Sequence, residues 1–241
     1  MRVVWGLATV LFVLALPVTL LTSNVRWLAN DLSFYQRGYE SQSSYQSTGL
    51  PKQVLDQATV ELIAYFNSSD DPPKINVTAG GRTFSLFNER DSLHLRDVKD
   101  LFQLTYRVQE ISLAYALLFS IAMVWRRNGR PLARLAWTWV MGGVFTVCLL
   151  AVIGLAMLLD FDRIFLQFHL VSFSNDFWML DPADSYLIRM VPEGFFMELA
   201  FWVAGLSLVQ GAVLAFLAWG IIRLQQKKLL ARNDGAPLAV S

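Results

Sequence analysis

The chain has 241 residues, of which 55% are apolar and 16% charged, and its formal net charge is +1. This composition excludes an ordinary soluble domain, and no nucleic-acid partner is expected. A helix needs about 20 mostly apolar residues to cross a bilayer, and four segments meet that requirement. We predict a mainly α membrane protein with four transmembrane helices and a small α+β extracytoplasmic cap.

The predicted organisation alternates membrane spans with polar segments. In chain order these are transmembrane helix 1 (1–26), an extracytoplasmic cap (27–103), transmembrane helix 2 (104–125), an Arg-rich cytoplasmic loop (126–134), transmembrane helix 3 (135–159), a second extracytoplasmic segment (160–194), transmembrane helix 4 (195–224) and a cytoplasmic tail (225–241). The first segment is also compatible with a signal peptide, but it is long, and residues 21–25 contain no small-x-small cleavage site. We therefore predict a retained span.

Loop charges predict the orientation. The link between the second and third spans and the region around the tail are rich in basic residues: Arg126, Arg127, Arg130 and Arg134 in the link, and Arg223, Lys227, Lys228 and Arg232 near the tail. Basic loops remain in the cytoplasm. The two other polar regions are relatively acidic, so we predict that both lie outside the membrane and that both termini lie inside.

The cap contains three recognisable stretches. Residues 31–49 are polar, and we expect them to be mobile or to wrap the cap. Apolar residues recur at helical spacing over 51–66, which predicts a helix with Pro51 in its first turn. Residues 74–78 and 82–87 flank an Ala-Gly-Gly sequence, which predicts a short hairpin.

The chain has two histidines, and the first, His94, lies where the cap meets the second span. Asp91 or Ser92 is predicted to cap a helix that runs into this span, with His94 in the first turn. The positive end of a helix lowers the pKa of a histidine, so a neutral ring able to exchange a proton is expected. The alternative is a polar residue on an exposed turn.

The second histidine, His169, lies at the edge of an aromatic stripe after the third span. Phe161, Phe165 and Phe168 recur at helical spacing, and such stripes are usually only interfacial anchors. Turn residues interrupt this stretch, however, and polar groups at membrane depth tend to mark function. The lone Cys148 lies within the third span, where we expect it to pack.

Two histidines on one side of a membrane, with carboxylates nearby, suit several kinds of site. One is general acid/base catalysis on an ester or amide. The chain has no Gly-x-Ser-x-Gly motif and Cys148 is misplaced for a nucleophile, so the substrate would supply the nucleophile. A zinc site of two histidines and a carboxylate, a bis-histidine haem and a non-catalytic membrane factor remain alternatives. Spans one, three and four carry almost no polar groups, which argues against a transport path.

Two motifs carry a family resemblance. They are Glu89-x4-His94-Leu-x-Asp97-Val-Lys99 and Phe168-His169-x3-Phe173-x-Asn175-Asp-x-Trp178-x-Leu180-Asp-Pro182. They resemble the lipoprotein intramolecular transacylase (Lit) family of bacterial four-span membrane proteins, and the resemblance extends over both outer regions and the order of the spans.

The resemblance implies a site, a reaction and a location. Two catalytic histidines lie where an extracytoplasmic cap meets the bacterial cytoplasmic membrane, and neither a cofactor nor a metal is expected. The sn-2 acyl chain of a lipoprotein's diacylglyceryl-cysteine moves to the α-amino group of that cysteine, giving a lyso-form lipoprotein. The implied partners are diacylated bacterial lipoproteins and membrane lipid. Another lipid substrate is an alternative within the family.

His94 and His169 are accordingly predicted to be the acid/base pair. The residues predicted to contact the substrate or to support the histidines are Phe173, Asn175, Asp176, Trp178 and Asp181. Glu89 and Asp97 either orient a histidine ring or are ordinary solvated charges. An α-amino group has an ordinary pKa of about 8, so a neutral histidine can accept its proton. Outside this function, a non-catalytic factor that binds lipid or lipoprotein and a metal-dependent membrane hydrolase are the alternatives.

Overall fold

A computed structural model describes residues 2–70, 72–126 and 131–234 of the chain. Arg127 and Arg130 of the predicted cytoplasmic loop, Asp71 of the cap and residues 235–241 of the tail lie outside these ranges. Within them the chain forms nine helices and two strands: α1 (Arg2–Ala29), α2 (Leu32–Ser41), α3 (Ser44–Thr48), α4 (Lys52–Phe66), β1 (Asn76–Ala79), β2 (Arg82–Ser85), α5 (Glu89–Trp125), α6 (Pro131–Leu159), α7 (Phe161–Ser172), α8 (Tyr186–Met190) and α9 (Glu193–Asp234).

Four of the described helices are long and apolar enough to cross a membrane, namely α1, α5, α6 and α9. A helix satisfies its own backbone hydrogen bonds, which is what a chain surrounded by hydrocarbon requires. The chain divides into two compact units. The first, here called the span unit, consists of Met1–Leu21, Val108–Val152 and Gly205–Ser241. The second, here called the cap unit, consists of Thr22–Arg107 and Ile153–Ala204.

The span unit is held together by aromatic packing and by one close helix–helix approach. The Phe12 ring is fully buried, with its centroid 4.9 Å from that of Phe119 and 5.1 Å from that of Trp139. A β-carbon at Gly143 would lie 2.5 Å from the carbonyl oxygen of Gly211. Glycine therefore lets α6 and α9 pack backbone to backbone, as is common between membrane helices.

The polar stretch 31–49 forms helices in the cap unit and packs against α9. The Tyr35 and Tyr39 rings lie 5.4 Å and 6.2 Å from the ring of Phe195. Tyr39 is also hydrogen-bonded to Thr59 at 2.8 Å. The expectation of a mobile or wrapping segment missed both helices. Buried aromatic rings rather than an apolar stripe supply the packing face of α2, and Ser44 and Ser47 of α3 donate hydrogen bonds to carbonyls of α8.

The helix and the hairpin predicted for the cap are both present. α4 ends where the spacing predicted, although Pro51 stands just before the helix instead of in its first turn. β1 and β2 pair antiparallel, with Asn76 opposite Ser85. The connecting residues Gly80 and Gly81 have φ angles of 58° and 77°, a region that glycine adopts at little cost.

Helix α5 begins earlier than its sequence predicted. The Asp91 amide donates to the side-chain oxygen of Asn88 at 2.8 Å, and the Asp91 carboxylate accepts the Asn88 amide at 3.4 Å. This reciprocal pair is a capping box. Asn88 is therefore the cap, the prediction of Asp91 or Ser92 was wrong, and His94 lies in the second turn of α5.

Candidate active site

The two histidines of the chain lie side by side in the cap unit. His94 comes from α5 and His169 from α7, and their ring centroids are 6.2 Å apart with the ring planes inclined by 32°. Only 9% of His94 and 8% of His169 is exposed. The two histidines therefore form a buried pair of imidazoles.

A backbone contact on α7 orients the His169 ring. Asp160 caps this helix by accepting the Arg163 amide at 3.1 Å. One helical turn before His169, the Phe165 carbonyl lies 2.8 Å from its Nδ1 atom. A carbonyl can only accept a hydrogen bond, so Nδ1 carries the proton. The Nε2 lone pair of a neutral His169 is then free to accept a proton from another group.

His94 has a different environment. Its Nδ1 atom is buried and has no hydrogen-bond partner among the residues that the structure describes. His94 lies on the part of α5 that precedes the predicted span, and burial lowers its pKa to about 4. The neighbouring His169 lowers this pKa further, whereas the charge of Asp97 opposes the shift. His94 is therefore neutral at physiological pH.

Burial also lowers the pKa of His169, although its hydrogen bond with the Phe165 carbonyl opposes that shift. Both rings therefore favour the neutral form at pH 7. The cause is desolvation in the cap and not the helix terminus that the sequence had suggested.

Aromatic side chains surround the pair. The Phe173 ring lies 5.2 Å from the His94 ring and 5.6 Å from the His169 ring. The Trp178 ring lies 4.8 Å from the His169 ring, and the Phe165 ring meets it edge-on at 4.4 Å. Both histidines line a cavity of about 360 Å³ whose walls are mostly apolar, a size typical of ligand pockets.

Asn175 connects the loop after α7 to the histidine helix α5. Its side-chain amide donates to Asp97 at 2.8 Å. Its side-chain oxygen accepts the Phe177 amide at 3.0 Å, and its backbone carbonyl accepts the Trp178 indole N–H at 3.0 Å. Two predicted support residues, Asp97 and Asn175, therefore hold a third, Trp178, against His169.

A second connection joins the end of this loop to α5. Asp91 is fully buried and accepts a hydrogen bond of 2.5 Å from the Ser185 hydroxyl. Burial raises the pKa of Asp91, and the Ser185 hydrogen bond opposes that shift. Arg90 reaches the loop as well, donating to the Asp176 carbonyl and lying 3.6 Å from its carboxylate.

Among the predicted supporting residues only Trp178 lines the cavity, and three of the others are exposed. Glu89 is exposed at the first position of α5. Asp176 is exposed and contacts Arg90. Asp181 is exposed and accepts the Ala183 amide within a turn. The other predicted residues, Asp97, Phe173, Asn175 and Trp178, lie on or next to the histidine pair.

Sequence reasoning did not assign two residues that shape the site. The Phe165 carbonyl accepts a hydrogen bond from the His169 ring, and the Phe165 side chain lines the cavity. Its position four residues before His169 could have indicated this contact, because residues four apart are neighbours on a helix. Asp91 had been considered only as a helix cap, and nothing local in the sequence indicates its contact with Ser185.

Chemically, the pair offers two neutral imidazoles in a largely apolar cavity, one with a fixed tautomer. Such groups suit proton transfer to and from a substrate, since histidine can both accept and donate near neutral pH. Among the described residues, no three His, Cys, Asp or Glu side chains are grouped so as to hold a metal ion.

Comparison with known protein families matches residues 10–196 to the family described as lipoprotein intramolecular transacylase Lit. The chain belongs to the Lit family. The matched range contains both histidines and the whole loop that holds Trp178. The protein is therefore a Lit-family transacylase, and membership of this family implies a lipoprotein substrate.

Solved structures of the membrane-integral lipoprotein intramolecular transacylase Lit from Bacillus cereus have the same fold as this Lit-family chain. One matches with a TM-score of 0.80 and 18% identity, covering 94% of this chain and all of that chain. A variant of the same protein with one histidine replaced by arginine matches with a TM-score of 0.74 and 18% identity, covering 93% and 95% of the two chains. The predicted fold class is confirmed, and the protein is a multi-pass integral membrane protein. Comparison with curated protein sequences found no match.

Proposed function

We propose that this Lit-family protein moves the sn-2 acyl chain of a lipoprotein's diacylglyceryl-cysteine to the α-amino group of that cysteine, leaving a lyso-form lipoprotein. The observation that carries this proposal is the buried pair of neutral imidazoles, with ring centroids 6.2 Å apart, on the wall of an apolar cavity. The substrate brings both the ester and the amine, so the protein needs only to hold them together and to move protons.

His169 is the general base in this mechanism. Its Nδ1 proton is donated to the Phe165 carbonyl, so Nε2 is the nitrogen that can accept a proton from the substrate amine. His94 is the weaker base, because burial and the neighbouring His169 lower its pKa to about 4. The neutral His94 ring carries one N–H, and it acts as the hydrogen-bond donor and acid.

The reaction then balances without an external reactant. The α-amine nitrogen attacks the sn-2 ester carbon and gives a proton to Nε2 of His169. The N–H of His94 stabilises the oxyanion that forms. The bond to the glyceryl oxygen breaks, and the N–H of His94 protonates that oxygen as the other ring nitrogen of His94 takes the proton held by His169. This relay restores both neutral rings and leaves an amide and a free hydroxyl.

The remaining predicted residues have supporting roles in this proposal. Asp97 and Asn175 fix the loop that holds Trp178 against His169, and Phe173 packs against both imidazoles. The apolar wall supports binding of an acyl chain near the reacting ester. Glu89, Asp176 and Asp181 lie too far out on the surface to take part in proton transfer.

We also propose that the cap unit lies at the outer face of the bacterial cytoplasmic membrane and that both termini lie in the cytoplasm. The support is the distribution of charge along the chain. The span boundaries proposed from the sequence, 1–26, 104–125, 135–159 and 195–224, follow from the lengths of the apolar segments. The long helices extend beyond several of these boundaries.

The decisive experiment is to express the chain in bacteria that make diacylated lipoproteins and to examine the lipoprotein N-terminus by mass spectrometry. The expected product is an N-acyl, monoacylglyceryl lipoprotein. His94→Ala and His169→Ala should each reduce its formation by about 10²–10⁴-fold, the usual contribution of general acid/base catalysis. Asp100→Asn, on an exposed position of α5, is the matched control and should retain activity.

An unchanged acyl pattern with folded protein present in the membrane would refute the proposal. Full activity in both histidine variants would refute the two-histidine mechanism but would not contradict the proposed acyl transfer. Activity that is lost on chelation and restored by zinc would favour the metal-dependent alternative.

A further inference from the structure

The cavity that contains the histidines has an apolar edge that is open to the outside of the protein. Leu166 on α7 and Met179 on the following loop both line the cavity. Their exposed fractions are nevertheless 44% and 54%. Two large apolar side chains are thus both cavity wall and outer surface, which marks them as the rim of an opening.

Other large apolar side chains on α7 and at the end of α6 are exposed as well. Leu170 and Val171 follow Leu166 on α7, and Val171 is 85% exposed. The end of α6, immediately before α7 in the chain, exposes Leu158 and Leu159. Exposing such side chains to water costs about 25 cal/mol per Å² of apolar area. A group of exposed apolar residues, although interrupted by Arg163 and Gln167, therefore suits contact with lipid.

The length and exposed side chains of α7 suit a helix that lies along a membrane interface. The helix has 12 residues and is therefore about 18 Å long. If it rose away from the membrane after α6, Val171 near its far end would lie deep in water. With 3.6 residues per turn, Arg163 and Gln167 lie on the same exposed side of α7 as Leu166, Leu170 and Val171. On a helix along the interface, the three apolar side chains would enter the lipid while the long Arg163 side chain extends to the headgroups.

Two carboxylates on the same cavity wall agree with this placement. Asp162 stands at the start of α7 and Glu193 at the start of α9, and both side chains line the cavity. Both lie where a membrane-crossing helix ends or begins, which is headgroup level. The cavity lining thus combines two carboxylates with the apolar Leu166 and Met179, as a lipid combines a polar headgroup with apolar chains.

We propose that the cavity opens sideways into the bilayer between Leu166 and Met179, and that the acyl chains of the membrane-anchored substrate pass through this opening. The identity of that substrate as a diacylglyceryl lipoprotein rests on the proposed function, whereas the opening toward lipid does not. The acyl chain never crosses water, and the sn-2 ester arrives at the histidines from the membrane side.

Site-specific photo-cross-linking tests this inference. Benzoylphenylalanine is placed at Leu166 or Met179 of the full-length protein in phosphatidylethanolamine–phosphatidylglycerol vesicles. The probe is a diacylglyceryl-type lipopeptide with ether links in place of esters, so that it binds without being consumed. Matched controls are Val171, which faces the same lipid but does not line the cavity, and Glu61, an exposed position on α4.

The expected result has two parts. Without the lipopeptide, positions 166, 179 and 171 cross-link phospholipid acyl chains and position 61 does not. With the lipopeptide, positions 166 and 179 become enriched in cross-links to its alkyl chains by several-fold over position 171. Met179→Trp, which narrows the opening, should lower kcat/KM for the ester lipopeptide, and Val171→Trp should not.

Other outcomes overturn one proposal or the other. If positions 166 and 179 behave like position 61, the cavity opens to water and the inference is wrong. If they cross-link phospholipid but show no lipopeptide enrichment over position 171, the opening is not the substrate's path. If the lipid cross-links form but wild-type protein leaves an ester lipopeptide unconverted, the proposed function fails and the lateral opening stands.

Discussion

At the scale of single residues, the two histidines of the pair differ in what holds their protons. His169 has its Nδ1 proton directed at the Phe165 carbonyl, whereas Nδ1 of His94 is buried without a partner among the described residues. Burial lowers the pKa of both. Because both rings are neutral, the resting site contains no buried charge, which desolvation would disfavour. A proton can still pass from one ring to the other during the reaction.

The lowered pKa of His94 predicts a pH dependence of stability. In the unfolded chain this histidine takes up a proton as the pH falls through about 6.5, but in the folded protein it does so only near a pKa of about 4. Its stabilising contribution is therefore complete above pH 6.5 and is lost as the pH falls toward 4. Unfolding free energies measured in detergent from pH 4 to 8 should decline toward acid.

The matched control for this pH dependence is His94→Asn, which removes the titrating ring. The difference in unfolding free energy between wild type and variant should shrink as the pH is lowered. A difference that stays constant across this range would contradict the assignment.

The charge of Asp97 predicts a measurable shift on His94. This carboxylate raises the pKa of His94 against the effect of burial. Asp97→Asn should therefore lower the pKa of His94 further. The chain has only two histidines, so isotope-labelled histidine gives two sets of NMR signals to follow during titration. Asp100→Asn is the control and should leave both titrations unchanged, and an upward shift in Asp97→Asn would contradict the prediction.

At the scale of elements, the loop after α7 is tied to α5 at three points, one of which is the contact of Arg90 with Asp176. Asn175 binds Asp97, and Ser185, whose hydroxyl also caps α8 by accepting the Ile188 amide, binds Asp91. The stretch between these points includes Trp178, which packs against His169. The position of the second histidine relative to the first therefore depends on hydrogen bonds that neither imidazole makes.

Removing the Asp91–Ser185 contact should destabilise the cap unit. Asp91→Ala leaves the Ser185 hydroxyl buried without its acceptor, a loss of about 1–3 kcal/mol in unfolding free energy. A double-mutant cycle with Ser185→Ala should show coupling of about 0.5–3 kcal/mol, as contacting residues do. Asp100→Ala should change stability by less than about 0.5 kcal/mol. Additive effects of Asp91→Ala and Ser185→Ala would contradict the assigned contact.

The hairpin predicts a second effect on stability. Gly80 and Gly81 have positive φ angles, and a residue with a β-carbon in this region costs about 1–2 kcal/mol. Gly81→Ala should lower the unfolding free energy by that amount. Gly154→Ala, in α6, is the matched control because its β-carbon meets no atom within 4 Å. Equal stabilities of the two variants would show that the turn tolerates a side chain.

At the scale of the whole molecule, the orientation predicted from loop charge can be checked by thiol labelling. In a Cys148→Ser background, a membrane-impermeant maleimide applied to intact cells should label Asn76→Cys on the hairpin. Asn128→Cys, within the predicted Arg-rich cytoplasmic loop, should be labelled only after the membrane is broken. The reverse pattern would mean that the cap lies in the cytoplasm and would remove the proposed access to exported lipoproteins.

Local patterns in the sequence were sufficient for much of this architecture. The four apolar segments, the helix over 51–66 and the hairpin were predictable because each depends on residues adjacent in the chain. The family motifs around His94 and His169 are likewise short. Helices α2 and α3 escaped prediction because their contacts are with distant residues. The tyrosines of α2 pack on Phe195, and serines of α3 donate hydrogen bonds to carbonyls of α8.

The sequence by itself determined that the protein is helical and apolar enough to span a membrane, and which two residues are histidines with acid/base potential. Only the tertiary structure decided that the imidazoles meet at 6.2 Å and that Phe165 fixes one tautomer. It also decided that Asp91 holds Ser185 across 94 positions of the chain, while Glu89 stays exposed at the surface. Apolar length and turn chemistry are local properties, whereas burial and hydrogen-bond partners arise only when distant segments pack together.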